Sequence, residues 1–379
     1  ISMKKIIFKN FLKETLEFFV LSSCAVTIIV WVIQAVNYLE FVTEDGHSFK
    51  IYFLYTIYSL PKIFNKLLPF MFFFSIFFTL VKYEEQNQTL IFWTNGISKM
   101  TFMNVIILFS IFFVVLNFFF SLYIVPMSQD KARSFIRDSN IDYLPLLVKP
   151  KKFIDTVERL TIYTEKKYQN TLENIIIKDS FSKTKSKIIY AKKGYFTENG
   201  KDNFLILKSG KILNINEGKT NSFDFNETQV NLSNYTSKTT KTPKIQEINT
   251  ESLFNCLFKV EIKKNITKEN NFKFVCKKDE QLMNKISQEL LSRIFKPLYI
   301  PLLALISGFL LIKSKNSQGF SNYKFKIFTS AVIIISLSEI STKFYSANIF
   351  ESFLIIMIPF TLFFLCYLFF KNKIKMRTV

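Results

Sequence analysis

Glycine and histidine are nearly missing from this chain, which has 8 Gly and 1 His in 379 residues, against 46 Phe. The one histidine, His47, sits in a loop beside Asp45, so a histidine-based triad or a His-rich metal site is excluded. Neither GxxxxGK[ST] nor GxGxxG occurs, and the chain carries no visible nucleotide site. Any work against a gradient must then draw on a partner or an ion. The four cysteines show no metal spacing. Cys24 and Cys366 fall in apolar runs and read as small hydrophobes. No metal, cofactor or catalytic residue is expected.

What is abundant is apolar residues, concentrated at the two ends in runs of about 20, the length that crosses a hydrocarbon core of about 30 Å. Six spans can be read: roughly Leu16–Val36; a second ending near Lys82 and beginning between Ile51 and Lys62; Phe102–Val125; Phe295–Ile312; Phe325–Ser341; and Phe350–Phe370. Many Phe and few Gly make them bulky. The formal charge of +21 suits nucleic acid or anionic lipid. With spans present the membrane reading prevails, and no nucleic-acid partner is expected.

Lys and Arg in short loops set orientation. Lys4, Lys5, Lys9 and Lys13 precede the first span, Lys313, Lys315, Lys324 and Lys326 separate the fourth from the fifth, and Lys371, Lys373, Lys375 and Arg377 follow the last. These place both termini in the cytoplasm and the middle outside. The loop 37–50 is acidic at Glu40, Glu44 and Asp45, and 346–349 is uncharged, as outside loops should be. Leu21-Ser22-Ser23-Cys24 has the look of a lipoprotein cleavage box, but Glu14 and Glu17 interrupt its apolar core and the run continues past Cys24, so an uncleaved span is expected.

The polar middle reads as strands: Leu160–Thr164, Leu172–Lys178, Lys187–Thr197, Asn203–Lys208, Lys211–Ile215 and Thr220–Phe225 are short, β-branched or aromatic, and separated by Asn, Gly, Ser and Lys. Ile162 and Thr164 alternate with Thr161 and Tyr163, as in a half-buried strand. Such a series suggests a sandwich or jelly roll. The expected organisation is a helical membrane protein with an inserted all-β domain: residues 1–130 with three spans, 131–285 as a β jelly roll, and 286–379 with three more. In an outside domain Cys256 and Cys276 are open to either a disulfide or free thiols.

Four segments, in this order, resemble the LptF/LptG permease family. They are Leu60-Pro61-Lys62-Ile63-Phe64-Asn65-Lys66-Leu67-Leu68-Pro69; the loop 82–98 ending Asn95-Gly96-Ile97-Ser98; the middle with Leu160–Tyr163, Leu172–Asp179 and Ala191-Lys192-Lys193-Gly194; and Glu289-Leu290-Leu291-Ser292-Arg293-Ile294-Phe295-Lys296-Pro297-Leu298. The resemblance covers nearly the whole chain, and the F subunit is preferred to G. It implies a non-catalytic permease of an ABC transporter in the bacterial inner membrane, which extracts lipopolysaccharide and passes it toward the outer membrane. The implied partners are the paired permease, a cytoplasmic LptB-type ATPase dimer and a periplasmic LptC/LptA-type jelly-roll bridge. The rival is a membrane-anchored periplasmic binding or structural protein; the cytoplasmic parts are too short for a signalling domain.

Within that frame Lys62 and Lys66, four apart on one helix face, are two ammonium groups for lipid phosphates or, equally, lysines snorkelling to headgroups. Gln34 and Asn37 of the first span are placed with them in the lipid cavity. Glu339 and Lys343 are expected as an i,i+4 pair, on the cavity wall or fixing helix packing. The loop 83–99 is expected to hold a short helix docking into the ATPase through Leu90, Ile91, an exposed Trp93 and Gly96, or lying at headgroup depth. The family loop carries Glu where this chain has Gln88, with Glu84 and Glu85 one turn earlier. Glu289, Arg293 and Pro297 form either a hinge to the fourth span or, for the first two, a surface salt bridge of about 0–1 kcal/mol.

Overall fold

The computed structural model describes residues 2–39, 42, 48–137, 148–157, 159–168, 171–180, 185–199, 202–216, 219–232, 244–258, 280–344 and 349–375. Glu40, Glu44, Asp45, His47 and Cys276 lie outside them. By contacts the chain divides into two compact units. One comprises residues 1–31, 59–130 and 244–379, the other 32–58 with 131–243.

The helices are long. Helix α1 (Ser2–Tyr38) and helix α2 (Phe49–Glu85) have 37 residues each, about 55 Å at 1.5 Å per residue. A short α3 (Thr89–Thr94) leads to α4 (Lys99–Phe119), which runs through a π-helical turn, Phe120–Ile124, into α5 (Val125–Arg137). After the sheet come α6 (Thr250–Phe258) and α7 (Glu280–Phe295). Pro297 and Pro301 lack N–H groups, and the chain tightens into a 3-10 turn at Lys296–Leu298 before α8 (Tyr299–Gly308). Helices α9 (Phe320–Ser341) and α10 (Ile349–Lys375) complete the unit.

Helix therefore covers each of the six expected spans. Five stretches are long and apolar enough to cross a membrane: Lys4–Tyr38, Phe49–Glu85, Lys99–Ile136, Gln281–Ile312 and Ile355–Lys375. The expected fifth span, in α9, is not among these. Its 22 residues suffice in length, but Lys324, Lys326, Glu339 and several serines make it more polar.

Phenylalanine builds the core of the helical unit. Phe92 meets Phe102 edge-on at 4.6 Å, Phe11 meets Tyr83 at 5.3 Å, and Phe19 meets Phe113 at 4.8 Å. Interlocking rings replace the small-residue contacts common between membrane helices. Glu14, the acid that interrupts the first apolar run, accepts from Lys82 Nζ at 2.8 Å and from Tyr83 Oη at 3.0 Å, joining α1 to the last turn of α2.

The second unit holds one six-stranded antiparallel sheet in the order β1 to β6, an up-and-down meander. Its strands are β1 (Phe153–Val157), β2 (Leu160–Tyr168), β3 (Thr171–Ser180), β4 (Lys185–Asn199), β5 (Asp202–Asn216) and β6 (Lys219–Asn231). The expected alternation holds in β2, where Leu160, Ile162 and Thr164 are buried. Two expectations need correction. The stretch 203–215 is one strand, not two. Its Ser209-Gly210 punctuation marks a close approach, since a Cβ on Gly210 would lie 2.0 Å from the Tyr190 carbonyl oxygen. Nor is 131–285 all strand, because α5, α6 and the start of α7 fall within it.

That punctuation belongs to a crease across the sheet. Pairing is interrupted at one cross-strand row, Glu165–Asn174–Lys192–Ser209–Asn226, between rows that keep the same register on both sides. Asn174 and Ser209 in this row have φ of 51° and 52°. Alternation changes phase there. Ile175 and Ile177 are buried on one side and Leu172 on the other, as are Ile189 and Ala191 against Gly194. The phase change lets both halves of these long strands turn apolar residues to the same core, which includes Leu160, Leu172, Ile175, Ile189, Leu205 and Leu207.

Candidate functional site

Arg293 organises one end of the helical unit. Its side chain is 4% exposed and bonds Glu289 at 2.9 Å. It also donates to the carbonyls of Gln246 and Ile248, both at 3.1 Å, and to Thr250 Oγ1 at 2.9 Å. Thr250 in turn donates to the carbonyl of Leu122, inside the π-helical turn, at 2.7 Å. One guanidinium thus ties α7 to the segment 244–250, and through Thr250 to the helix α4–α5. The expected surface salt bridge is instead a buried, multiply bonded hub. Sequence spacing gives the pair, but not that a distant segment covers it.

Lys62 reaches the same segment, donating to Gln246 Oε1 at 3.0 Å. Both Lys62 and Lys66 are exposed. Their neighbourhood is mixed in charge, with Glu289, Glu247 and Lys244 acting on Lys62. The direct partner of Lys62 is a neutral amide, however, and Lys66 has no ion pair among the described residues.

Glu339 does not pair with Lys343. It bonds Lys296, beside Pro297, at 2.8 Å, so a contact expected within α9 instead joins α9 to the α7–α8 junction. The Lys343 carbonyl accepts from Gln288 of α7 at 3.1 Å. An i,i+4 spacing permits a pair, but the 3-10 turn Thr342–Phe344 begins just after Glu339, and a lysine from another helix offers the closer cation.

About 35 Å along α2 from Lys62, at 1.5 Å per residue, lies the loop after Glu85. The expected short helix is present as α3. Leu90 and Ile91 are 55% and 49% exposed. Trp93 corrects the expectation of an exposed anchor: it is half-buried, packed on Phe92 and Phe102, with Lys99 Nζ over its ring at 5.7 Å. The acids are internally engaged. Glu84 accepts from Thr89 Oγ1 at 2.6 Å and from the Lys315 N–H at 2.9 Å, and Glu85 bonds Lys324 at 2.7 Å. They fasten this loop to the α8–α9 connection and to the first turns of α9. The Gln88 side chain donates to Gln86 Oε1 at 2.9 Å. Gly96 has φ of 67°, a left-handed conformation that ends the α3 turn.

Gln34 and Asn37 belong to the second unit, where Gln34 Oε1 accepts from Tyr38 Oη at 3.5 Å and Asn37 is exposed. Cys256 is disulfide-bonded, and Cys24 and Cys366 are free. Sequence reasoning missed Gln246, Lys296 and Lys315. Gln246 lies in an Asn/Thr/Lys-rich stretch that gives no signal of its own, whereas a lone Glu339 in an apolar helix was itself a reason to look for a cation elsewhere.

Comparison with known proteins gives two matches. The family profile described as "Lipopolysaccharide export system permease LptF/LptG" matches residues 9–373, and does not separate F from G. An uncharacterized protein of Rickettsia prowazekii (strain Madrid E) is 22% identical over 219 residues, 58% of this chain and 58% of that protein.

Proposed function

Because the chain belongs to the LptF/LptG family of lipopolysaccharide export permeases, we propose that it is a non-catalytic permease subunit that takes lipopolysaccharide from the outer leaflet of the inner membrane. Lys62 and Lys66 meet the lipid phosphates. The observation that carries this is the Lys62 bond to neutral Gln246. A lysine committed to a carboxylate would have its charge cancelled, whereas one held by an amide is oriented and still available to an anion.

In this reading α9 is the fifth of six spans, its Glu339 neutralised by Lys296. Both termini are cytoplasmic and the sheet is periplasmic, as the lysine distribution favours. The creased meander, in place of the expected two-sheet jelly roll, is the periplasmic domain that hands the lipid to an LptC/LptA-type bridge. Leu90 and Ile91 of α3 dock a separate LptB-type ATPase dimer, because two large exposed apolar side chains on a rigid turn suit an interface. A second, paired permease completes the cavity. Arg293 and the Pro297 break are the hinge at the entry to the fourth span.

The test is the double variant Lys62→Gln/Lys66→Gln, which keeps polarity and approximate length. It is expected to lower photocrosslinking of lipopolysaccharide at neighbouring positions and slow its release, while ATPase assembly persists. Crosslinking and transport equal to wild type would leave the two lysines as snorkelling groups and remove the phosphate role.

A further inference from the structure

A cavity of about 660 Å³ opens on the creased sheet. Its wall includes a cross-strand row from four strands in register: Tyr163 of β2, Ile176 of β3, Tyr190 of β4 and Lys211 of β5. Lys192, from the interrupted row, and Lys151 also line it. These lysines are exposed. None of the three has an ion pair among the described residues, although Lys208 on the same sheet bonds Glu227 at 3.8 Å. The cavity's one carboxylate, Glu165, accepts from the side-chain amide of Asn174.

Three ammonium groups line one concavity without an ion pair on any of them among the described residues, although Asp224 of β6 stands opposite Lys211 in register. Two tyrosines lie beside them: Tyr190, and Tyr163, whose ring packs against Phe153 with centroids 4.7 Å apart. Tyr190 is 41% exposed, a large aromatic left on the face away from the apolar core. Lysines suit phosphate as mobile point charges, and an exposed ring face suits the C–H face of a sugar. The cavity is within the range of small-molecule sites, about 300–1,000 Å³.

We propose that this cavity binds a phosphorylated saccharide, with the sugar on Tyr163 and Tyr190 and the phosphate among Lys151, Lys192 and Lys211. The ligand has two sources of the same chemistry: the sugar region of the exported lipid, or a free sugar phosphate. The first source rests on the permease reading, while the site itself does not.

Full-length protein in lipid nanodiscs is titrated at low salt with fluorescently labelled deacylated lipopolysaccharide. Saturable binding is expected, weakened at least tenfold by Lys192→Gln/Lys211→Gln and also weakened by Tyr190→Ala. Glucosamine 1-phosphate should compete and its unphosphorylated sugar should not. Lys178→Gln/Lys219→Gln removes the same charge from exposed positions away from the cavity and should leave binding unchanged. Equal loss in both double variants, or no loss in the first, overturns the site in favour of a diffuse basic surface. For the source, a photocrosslinker at Ser209, on the rim, should capture lipopolysaccharide in cells if the lipid is the ligand. Binding in vitro without that capture assigns a soluble sugar phosphate. Capture near Lys62 combined with wild-type binding by the cavity variants would sink this site and leave the permease reading standing.

Discussion

Asn117 donates its side-chain amide to the backbone carbonyl of Asn65, 3.3 Å away. Asn65 is four residues before Pro69, and Pro69 has no N–H to return to it. A carbonyl stranded in a membrane helix needs a donor from elsewhere, and the adjacent helix supplies one from a buried asparagine. Asn117→Leu should destabilise the protein by about 0.5–1.5 kcal/mol, the range for polar contacts between membrane helices. The cost should shrink in a Pro69→Ala background, where the helix regains its own donor. A double-mutant cycle of denaturant unfolding in detergent checks this, and equal costs in both backgrounds would break the link.

Arg293 should be far more sensitive than an exposed pair. Arg293→Ala strips hydrogen bonds from the buried Ile248 carbonyl and the partly buried Gln246 carbonyl and leaves Glu289 without its cation. The expected loss is about 3–5 kcal/mol, as for breaking a buried pair, with the segment 244–258 becoming the earliest site of limited proteolysis. Glu289→Gln, which keeps an acceptor on that side, should cost less. A loss under about 1 kcal/mol, the surface-pair value, would contradict the burial.

The loop after α2 separates docking from folding. Leu90→Glu/Ile91→Glu changes only exposed side chains and should abolish co-purification of the ATPase with no change in thermal stability. Trp93→Ala should instead lower stability by about 1–3 kcal/mol, because the ring packs on Phe102 and Phe92. Gly96→Pro should damage the loop itself, since proline cannot adopt φ of 67°. Retained ATPase with the double Glu variant would remove α3 as the docking element.

Topology is open to direct measurement. A reporter active only outside the cytoplasm, inserted between Asn199 and Asp202, should be active, and the same reporter at the C terminus should be silent. The reverse pattern would overturn the orientation, and the same result at both sites would overturn the three spans after the sheet and with them the count of six.

The sequence by itself determined the elements whose cause is local. Runs of about 20 apolar residues located the long apolar helices but not α5 or α6, and alternation with polar punctuation located most strands. The short α3 and the Glu289/Arg293 spacing were also visible. Tertiary structure decided which partner each polar group took. Glu339 chose Lys296 over Lys343, and Glu84 and Glu85 turned inward to the α8–α9 connection. Arg293 became a hub only because the segment 244–250 returns to cover it. Ser209-Gly210 looked like a turn because glycine and serine usually signal one, yet the pair lies on a crease shared by five strands. A hydrogen bond or ion pair is satisfied by whichever donor lies closest in space. Chain position fixes that only for neighbours a turn or two apart; for the rest, the packing of distant helices and strands makes the choice.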